Sequence, residues 1–369
     1  MTALSRRRFV QLGAGALAAG WRSPARAAEA SAGPPLRNLA AAAGLRFGSD
    51  SDVEFGHAPP EYGQLFAREC ALYACWFAWS VMYPRPGMTE PANEDHNIAF
   101  AHAHQMPLTG GHLLWHETDP DWLKTLDRAA MEQAVRAHIA DLGRRYGAQC
   151  YSWNVVNEAL EPGDGRPDGL KNTLYVKTMG PDFFDLAFHA ARDAAPEVLR
   201  VYNDYGLEMD ESHQEAKRAA LLRLLDGWLA RGTPVDAVGL QSHLQINGSV
   251  FDAKKFRAFL KEIASRGLKI LITELDVLDF TTPPDTAARD RAVADFYARY
   301  LDAALEEPAV KAVVTWGLSD RYSWLNDPYF AWAKRKDKLP ARPLPYDEQL
   351  QPKPAFAGLQ GALQRAPRR

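Results

Sequence analysis

Two hydrophobic runs in this chain each end in a glutamate. In Trp153-Asn154-Val155-Val156-Asn157-Glu158, aromatic and β-branched residues favour a short buried strand that runs into an amide and a carboxylate side by side. Lys269-Ile270-Leu271-Ile272-Thr273-Glu274-Leu275-Asp276 has the same build. A carboxylate at the end of a buried strand is costly unless a partner or a substrate uses it. One such Glu reads as a strand end turned to water, whereas two are the simplest source of a facing carboxylate pair. Two carboxylates flanking a bond suit glycoside hydrolysis: one, ionised, attacks the anomeric carbon and the other, protonated, helps the leaving oxygen depart. Mutual repulsion in a partly desolvated pair separates their proton affinities. Residue types alone leave open which Glu is which.

The rest of the chain must place these ends together. Short apolar runs alternate with longer amphipathic ones from about Leu45 onward. Strands are expected near 45–50, 71–79, 107–115, 151–156, 199–205, 235–244, 268–275 and 310–318. Helices are expected near 61–69, 96–105, 131–146, 182–194, 211–230, 253–265, 286–305 and 354–364. In the fifth helix Leu221, Leu224, Leu225 and Trp228 share one face, and Arg231-Gly232 followed by Pro234 ends it. Strict alternation indicates parallel strands with right-handed crossovers, and eight such units close into a single α/β domain, a (β/α)8 TIM barrel. An open doubly wound sheet would want a Gly-rich phosphate loop after its first strand, and Gly48-Ser49-Asp50-Ser51 supplies none. The barrel is expected over 45–366, after a signal segment at 1–27 and a lead-in at 28–44.

In such a barrel the C-terminal strand ends form the active mouth. In order they offer Trp79, His112 through Trp115 and His116, then Asn157-Glu158 and Asn203-Asp204-Tyr205. Gln241-Ser242-His243, Glu274 with Asp276, and Trp316 complete the ring. Loose surface polarity would not recur at strand end after strand end.

Composition bounds the alternatives. A net charge of −3 gives no footprint for nucleic acid. Ten Trp exceed ordinary usage and hint at platforms for sugar rings, although Trp122, Trp228 and Trp332 are expected in the core or on the rim. Ser5-Arg6-Arg7-Arg8-Phe9-Val10, a Gly/Ala-rich run and Ala25-Arg26-Ala27 have the layout of a twin-arginine-type export signal. That run is too short to span a membrane permanently, so the mature protein is expected to be exported, periplasmic or secreted, free of the membrane, and monomeric. Cys70, Cys75 and Cys150 form neither an even disulfide framework nor a zinc pattern. Cys70 and Cys75 are expected as buried hydrophobes, a bridge between them across a helix–strand junction in an oxidising compartment being the alternative. His112 and His116 on a strand and turn, and His102 and His104 on a helix, diverge instead of converging on a metal. No metal or cofactor is expected. His57, His138, His189 and His213 are expected on the surface or satisfied in the core.

The motifs carry a family likeness. The chain resembles glycoside hydrolase family 10, the xylanase-type retaining (β/α)8 enzymes, through GGHLLWH at 110–116, WNVVNEA at 153–159 and YNDY at 202–205. GLQSHL at 239–244, ITELDV at 272–277, TWGLSDRYSW at 315–324 and PLPYDEQLQPKP at 343–354 follow in the right order. The resemblance implies that Glu158 is the acid/base and Glu274 the nucleophile, acting on a β-linked polysaccharide. It implies that Asn157 holds the 2-hydroxyl of the sugar being cleaved and that His243 orients Glu274 with Asp276 behind it. His112 and Trp115 would line the same subsite, Gln241 would sit near the nucleophile, and Trp316 and Trp324 would form an aromatic floor and lid.

One stretch departs from that family. Where its members carry a run like ENEMKW, whose Glu, Asn and Lys bond the next sugar on the glycone side, this chain has Ala74-Cys75-Trp76-Phe77-Ala78-Trp79. Ala74, Cys75 and Ala78 replace three polar contacts worth about 1–3 kcal/mol each where charged or buried. Plain endo-β-1,4-xylanase action, a decorated or non-xylan β-glycoside with short-chain or aryl-glycoside activity, and a non-catalytic sugar-binding protein on an enzyme fold are the readings to separate.

Overall fold

The computed structural model describes residues 33–51, 53–88 and 94–369; the signal segment and the start of the lead-in lie outside the described residues. Its strands are β1 (Arg46–Asp50), β2 (Leu72–Trp76), β3 (Leu108–Gly111), β4 (Ser152–Asn157), β5 (Leu199–Asp204), β6 (Ala237–Leu240), β7 (His243–Gln245), β8 (Lys269–Leu278) and β9 (Val310–Thr315). They run in the order β3-β2-β1-β9-β8-β6-β5-β4, every pair parallel. The bridges Leu108↔Cys150 and Leu114↔Val156 join β3 to β4 and close the circle. Eight strands thus form the expected barrel, with β7 riding on the extension of β8.

Capping explains where several helices start. Asp127, Asp252 and Asp285 each accept backbone N–H bonds at the first turns of Arg128–Tyr146, Ala253–Ser265 and Thr286–Leu305. Inside the barrel, Leu72 and Ala74 of β2 meet Val201, Ala237, Leu271, Ala312 and Val314, contacts across non-neighbouring strands that only a closed interior allows. Trp316 packs against this cluster from above. A larger apolar shell fills the space between strands and helices.

Four boundaries differ from the sequence-based expectation. Leu36–Ala42, in the stretch read as lead-in, is a helix whose Leu36 N–H donates to the buried Glu69 carboxylate over 2.8 Å. The second strand stops at Trp76, and Trp79 opens a short helix, Trp79–Met82, with its indole buried face to face on His138 at 4.0 Å. Trp79 is therefore not part of the mouth. The third strand stops at Gly111, where Gly110, Gly111 and His112 all take positive φ. The run 235–244 is broken at Gln241-Ser242, Ser242 having φ 63°. No helix among the described residues is long and apolar enough to cross a membrane.

Candidate active site

The side chains at the mouth are aimed by strained turns. Non-glycine residues with positive φ are uncommon, each costing about 1–3 kcal/mol, and they persist where the surroundings over-determine them. His112 (φ 37°), Glu158 (φ 56°) and Ser242 (φ 63°) all sit where β3, β4 and β6 end. The Glu158 turn is tied by its N–H to the Asn203 carbonyl at 2.9 Å. The Ser242 turn is held from two sides: its N–H donates to Glu208 Oε1 at 3.0 Å and its hydroxyl lies 2.6 Å from the Tyr300 hydroxyl.

Glu274, at the mouth end of the barrel portion of β8, is almost completely buried. Asn203 Nδ2 donates to Oε1 at 2.8 Å, His112 Nε2 lies 3.3 Å from the same oxygen, and His243 Nε2 lies 3.3 Å from Oε2. Burial alone would push this carboxyl up. The hydrogen bonds and charge of His112 and His243 outweigh it and bring the group down to about 2. His243 in turn is held at 2.9 Å by Asp276, which also accepts the Trp324 indole N–H at 2.8 Å. Burial opposes a charge on His243, but Asp276 and Glu274 dominate and raise it well above the usual imidazole range. The result is an ionised carboxylate whose charge and orientation are fixed by an indole–carboxylate–imidazolium chain.

Glu158 is only partly buried and faces a different set of donors. Its Oε1 accepts from Gln241 Nε2 at 2.9 Å and from Asn157 Nδ2 at 3.2 Å. Asn157 Oδ1 accepts from Asn203 Nδ2 at 2.8 Å, so two side-chain amides connect Glu158 to Glu274. Asn203 is held in turn by Thr273, whose hydroxyl donates to Asn203 Oδ1 at 2.7 Å. Gly239 is required beneath it, since a Cβ there would lie 2.2 Å from that oxygen.

The expected site residues therefore assemble, with two changes of partner. Gln241 turns its amide to Glu158, while only its backbone carbonyl serves Glu274, accepting that residue's N–H at 3.0 Å. His112 does more than line the site, because it contacts the Glu274 carboxylate directly. Trp115 and Trp316 flank His112 at centroid distances of 5.4 and 6.2 Å, and Trp324 covers His243 at 5.2 Å. Asn203 and Thr273 were not singled out for a role by sequence. Both stand in motifs that carry the family likeness, YNDY and ITELDV, but only the fold shows that they meet.

Several other residues prove structural. His138 is buried, its ring nitrogen 3.0 Å from the Leu113 carbonyl, and burial pushes it down to about 3. Cys70 and Cys75 are free and buried, the Cys75 thiol lying 3.3 Å from the Thr109 carbonyl. Trp228 is core, and Trp122 donates its indole N–H to the Tyr83 carbonyl.

Two carboxylates joined by an amide bridge, with aromatic rings beside the imidazoles that hold Glu274, make up the mouth. The glycosyl hydrolase family 10 model matches residues 35–362. The chain belongs to this family. It is 32% identical over 306 residues to endo-1,4-beta-xylanase C of Paenibacillus barcinonensis, covering 75% of this chain but only 27% of that relative's length. It is 25% identical over 336 residues to endo-1,4-beta-xylanase B of Thermotoga neapolitana, covering 89% of this chain and 92% of the relative. The crystal structure of native xylanase 10B from Thermotoga maritima superposes with a TM-score of 0.79 at 26% identity, covering 90% of this chain and 98% of that one.

Against the family-10 pattern, the glycone-side run has become framework. Ala74 packs inside the barrel, Cys75 and Ala78 are buried, and Phe77 is buried against Tyr146 with centroids 4.7 Å apart. Trp76 alone stays partly exposed, with its ring 6.0 Å from Trp115. An edge expected to be polar is aromatic and aliphatic at these positions.

Proposed function

We propose that this family-10 protein is a retaining endo-β-1,4-xylanase-type hydrolase in which Glu274 is the nucleophile and Glu158 the acid/base. The observation that carries the reading is the contrast between the two carboxylates. Glu274 is buried yet held ionised by His112, His243 and Asn203, whereas Glu158 accepts from the side-chain amides of Asn157 and Gln241. In the first step a Glu274 oxygen bonds to the anomeric carbon as the bond to the leaving oxygen breaks, and that oxygen takes the Glu158 proton. In the second, Glu158 takes a proton from water, whose oxygen displaces Glu274. Asn157, bonded to Glu158 and tied to Glu274 through Asn203, would bond the 2-hydroxyl as positive charge grows on the ring. Proton NMR of the first product tests the stereochemistry: the β-anomer is expected, and initial α-anomer overturns retention.

A second reading concerns the glycan. Buried Ala74, Cys75 and Ala78 favour weak discrimination of the second glycone sugar, and with it a decorated or non-xylan β-glycoside. Aryl glycosides of xylobiose and cellobiose should then gain little over aryl monosaccharides, whereas a strong gain from the second sugar would leave plain xylan as the substrate. Export through the Arg6-Arg7 segment and a monomeric mature form complete the proposal. Retention of the chain inside cells expressing an Arg6→Lys, Arg7→Lys variant, and a light-scattering mass near that of one chain, are the expected results.

A further inference from the structure

Among the described residues, the rim beside the lid carries two aromatic rings that the hydrolytic chemistry leaves unused. Trp332 is 63% and Tyr329 58% exposed. Exposing large apolar rings to water is unfavourable and marks surfaces that meet something. The rings are not on a loose loop. Arg335, nearly fully buried, donates to the Thr282 carbonyl at 2.8 Å and to the Asp279 backbone carbonyl, and Arg289 donates to the side-chain carboxylate of Asp279. Lys334 Nζ donates to the Leu325 carbonyl at 2.7 Å, and Asn326 exchanges hydrogen bonds with the Ala341 backbone at 2.8 and 3.1 Å. Both ends of the segment are thus tied to the barrel.

The aromatic surface continues into the catalytic site. The Trp332 ring lies 5.7 Å from Trp324, and Trp324 bonds Asp276 and covers His243. Position around the barrel says which part of a substrate passes here. Trp324 follows β9, and β9 stands across the eight-membered ring from β4, which carries Glu158. The leaving group departs toward the acid, so Trp332 lies on the glycone side.

We propose that Trp332 is an outer sugar platform, a specificity-determining residue that stacks on a ring of the glycone chain beyond the sugar being cleaved. This rests on the hydrolase reading above and names where that enzyme gains affinity for long chains. Stacking on an indole face needs no particular hydroxyl pattern. It offers a means of holding a chain next to an edge where Ala74, Cys75 and Ala78 provide no polar side chain. A fixed platform loses little entropy on binding. Stacking that is equally strong in the ground state and the transition state acts on KM and not on kcat.

The test compares long xylo-oligosaccharides with an aryl monosaccharide on wild type, Trp332→Ala and Trp332→Tyr. Trp332→Ala should lower the ratio of kcat/KM on the long chain to that on the short one by roughly three- to tenfold, through KM, and Trp332→Tyr should restore most of it. An unchanged ratio, whether both rates hold or both fall together, overturns the platform. Retardation in a native gel containing soluble xylan repeats the comparison without turnover. Wild type that hydrolyses neither substrate sinks the hydrolase reading, and the platform is then judged by the gel: weaker retardation of Trp332→Ala supports it, and equal or absent retardation overturns it.

Discussion

Asn203 Nδ2 donates to Glu274 Oε1 over 2.8 Å, and the same nitrogen donates to Asn157 Oδ1 over 2.8 Å. One amide therefore fixes the ionised carboxylate relative to the residue that neighbours Glu158. Hydrogen bonds to a charged group are worth about 1.5–3 kcal/mol, so Asn203→Ala should lower kcat/KM roughly ten- to a hundredfold. The loss should appear on good and poor leaving groups alike, since both steps need Glu274 in place. Steady-state kinetics with two aryl glycosides of different leaving-group acidity checks this.

The two Glu residues should fail differently. Glu274→Ala should abolish turnover of every substrate, a loss on the order of 10⁴-fold or more; a binding protein would have no turnover to lose. Glu158→Ala should cost roughly 10²–10⁴-fold on natural linkages and spare glycosylation by activated aryl groups. Equal loss on both substrate types would remove the acid assignment.

The pH dependence has a definite sign. Glu274 sits at about 2, below the ordinary carboxylate value, despite burial, because His112 and His243 hold it. Its stabilising contribution is complete above about pH 4.3 and is lost as pH falls toward 2. His243 is shifted the other way, chiefly by Asp276 against the opposing effect of burial. Its contribution is complete below about pH 6.5 and is lost as pH rises through its raised value. Thermal melts should therefore show Glu274→Gln losing less stability than wild type on acidification from about pH 4.3 to 2.5. His243→Asn should raise the carboxyl of Glu274 and move the acid limb of kcat/KM upward. An acid limb that stays put would detach His243 from the nucleophile.

Removing the Asp279 carboxylate should destabilise the protein. It lies buried between Arg289 and Arg335; Arg335 keeps Asp337 as a second carboxylate partner, but the buried Arg289 loses its carboxylate, at a cost of roughly 3–5 kcal/mol. Asp279→Ala should lower the thermal midpoint by several degrees. An unchanged midpoint would show that the Asp279 carboxylate is not needed to hold these arginines in the core.

Much of this site was legible in the sequence because its elements are locally encoded. Alternating strand and helix patterns suffice for a closed parallel barrel, and a barrel brings all its strand ends to one mouth, so Glu158 and Glu274 had to share a rim. The partners of those carboxylates were decided only by the tertiary structure. Asn203 meets Glu274 across 71 positions and Gln241 meets Glu158 across 83; side-chain direction there depends on strand register and on turns with positive φ, which hydrophobic pattern does not encode. The same reason explains Trp79, read as a mouth residue but turned inward onto His138 by the helix that begins there. It explains Trp332 as well: composition counts an indole, and only the anchoring of its segment by Arg335 and the neighbouring Trp324 ring decide that it faces outward beside the catalytic lid.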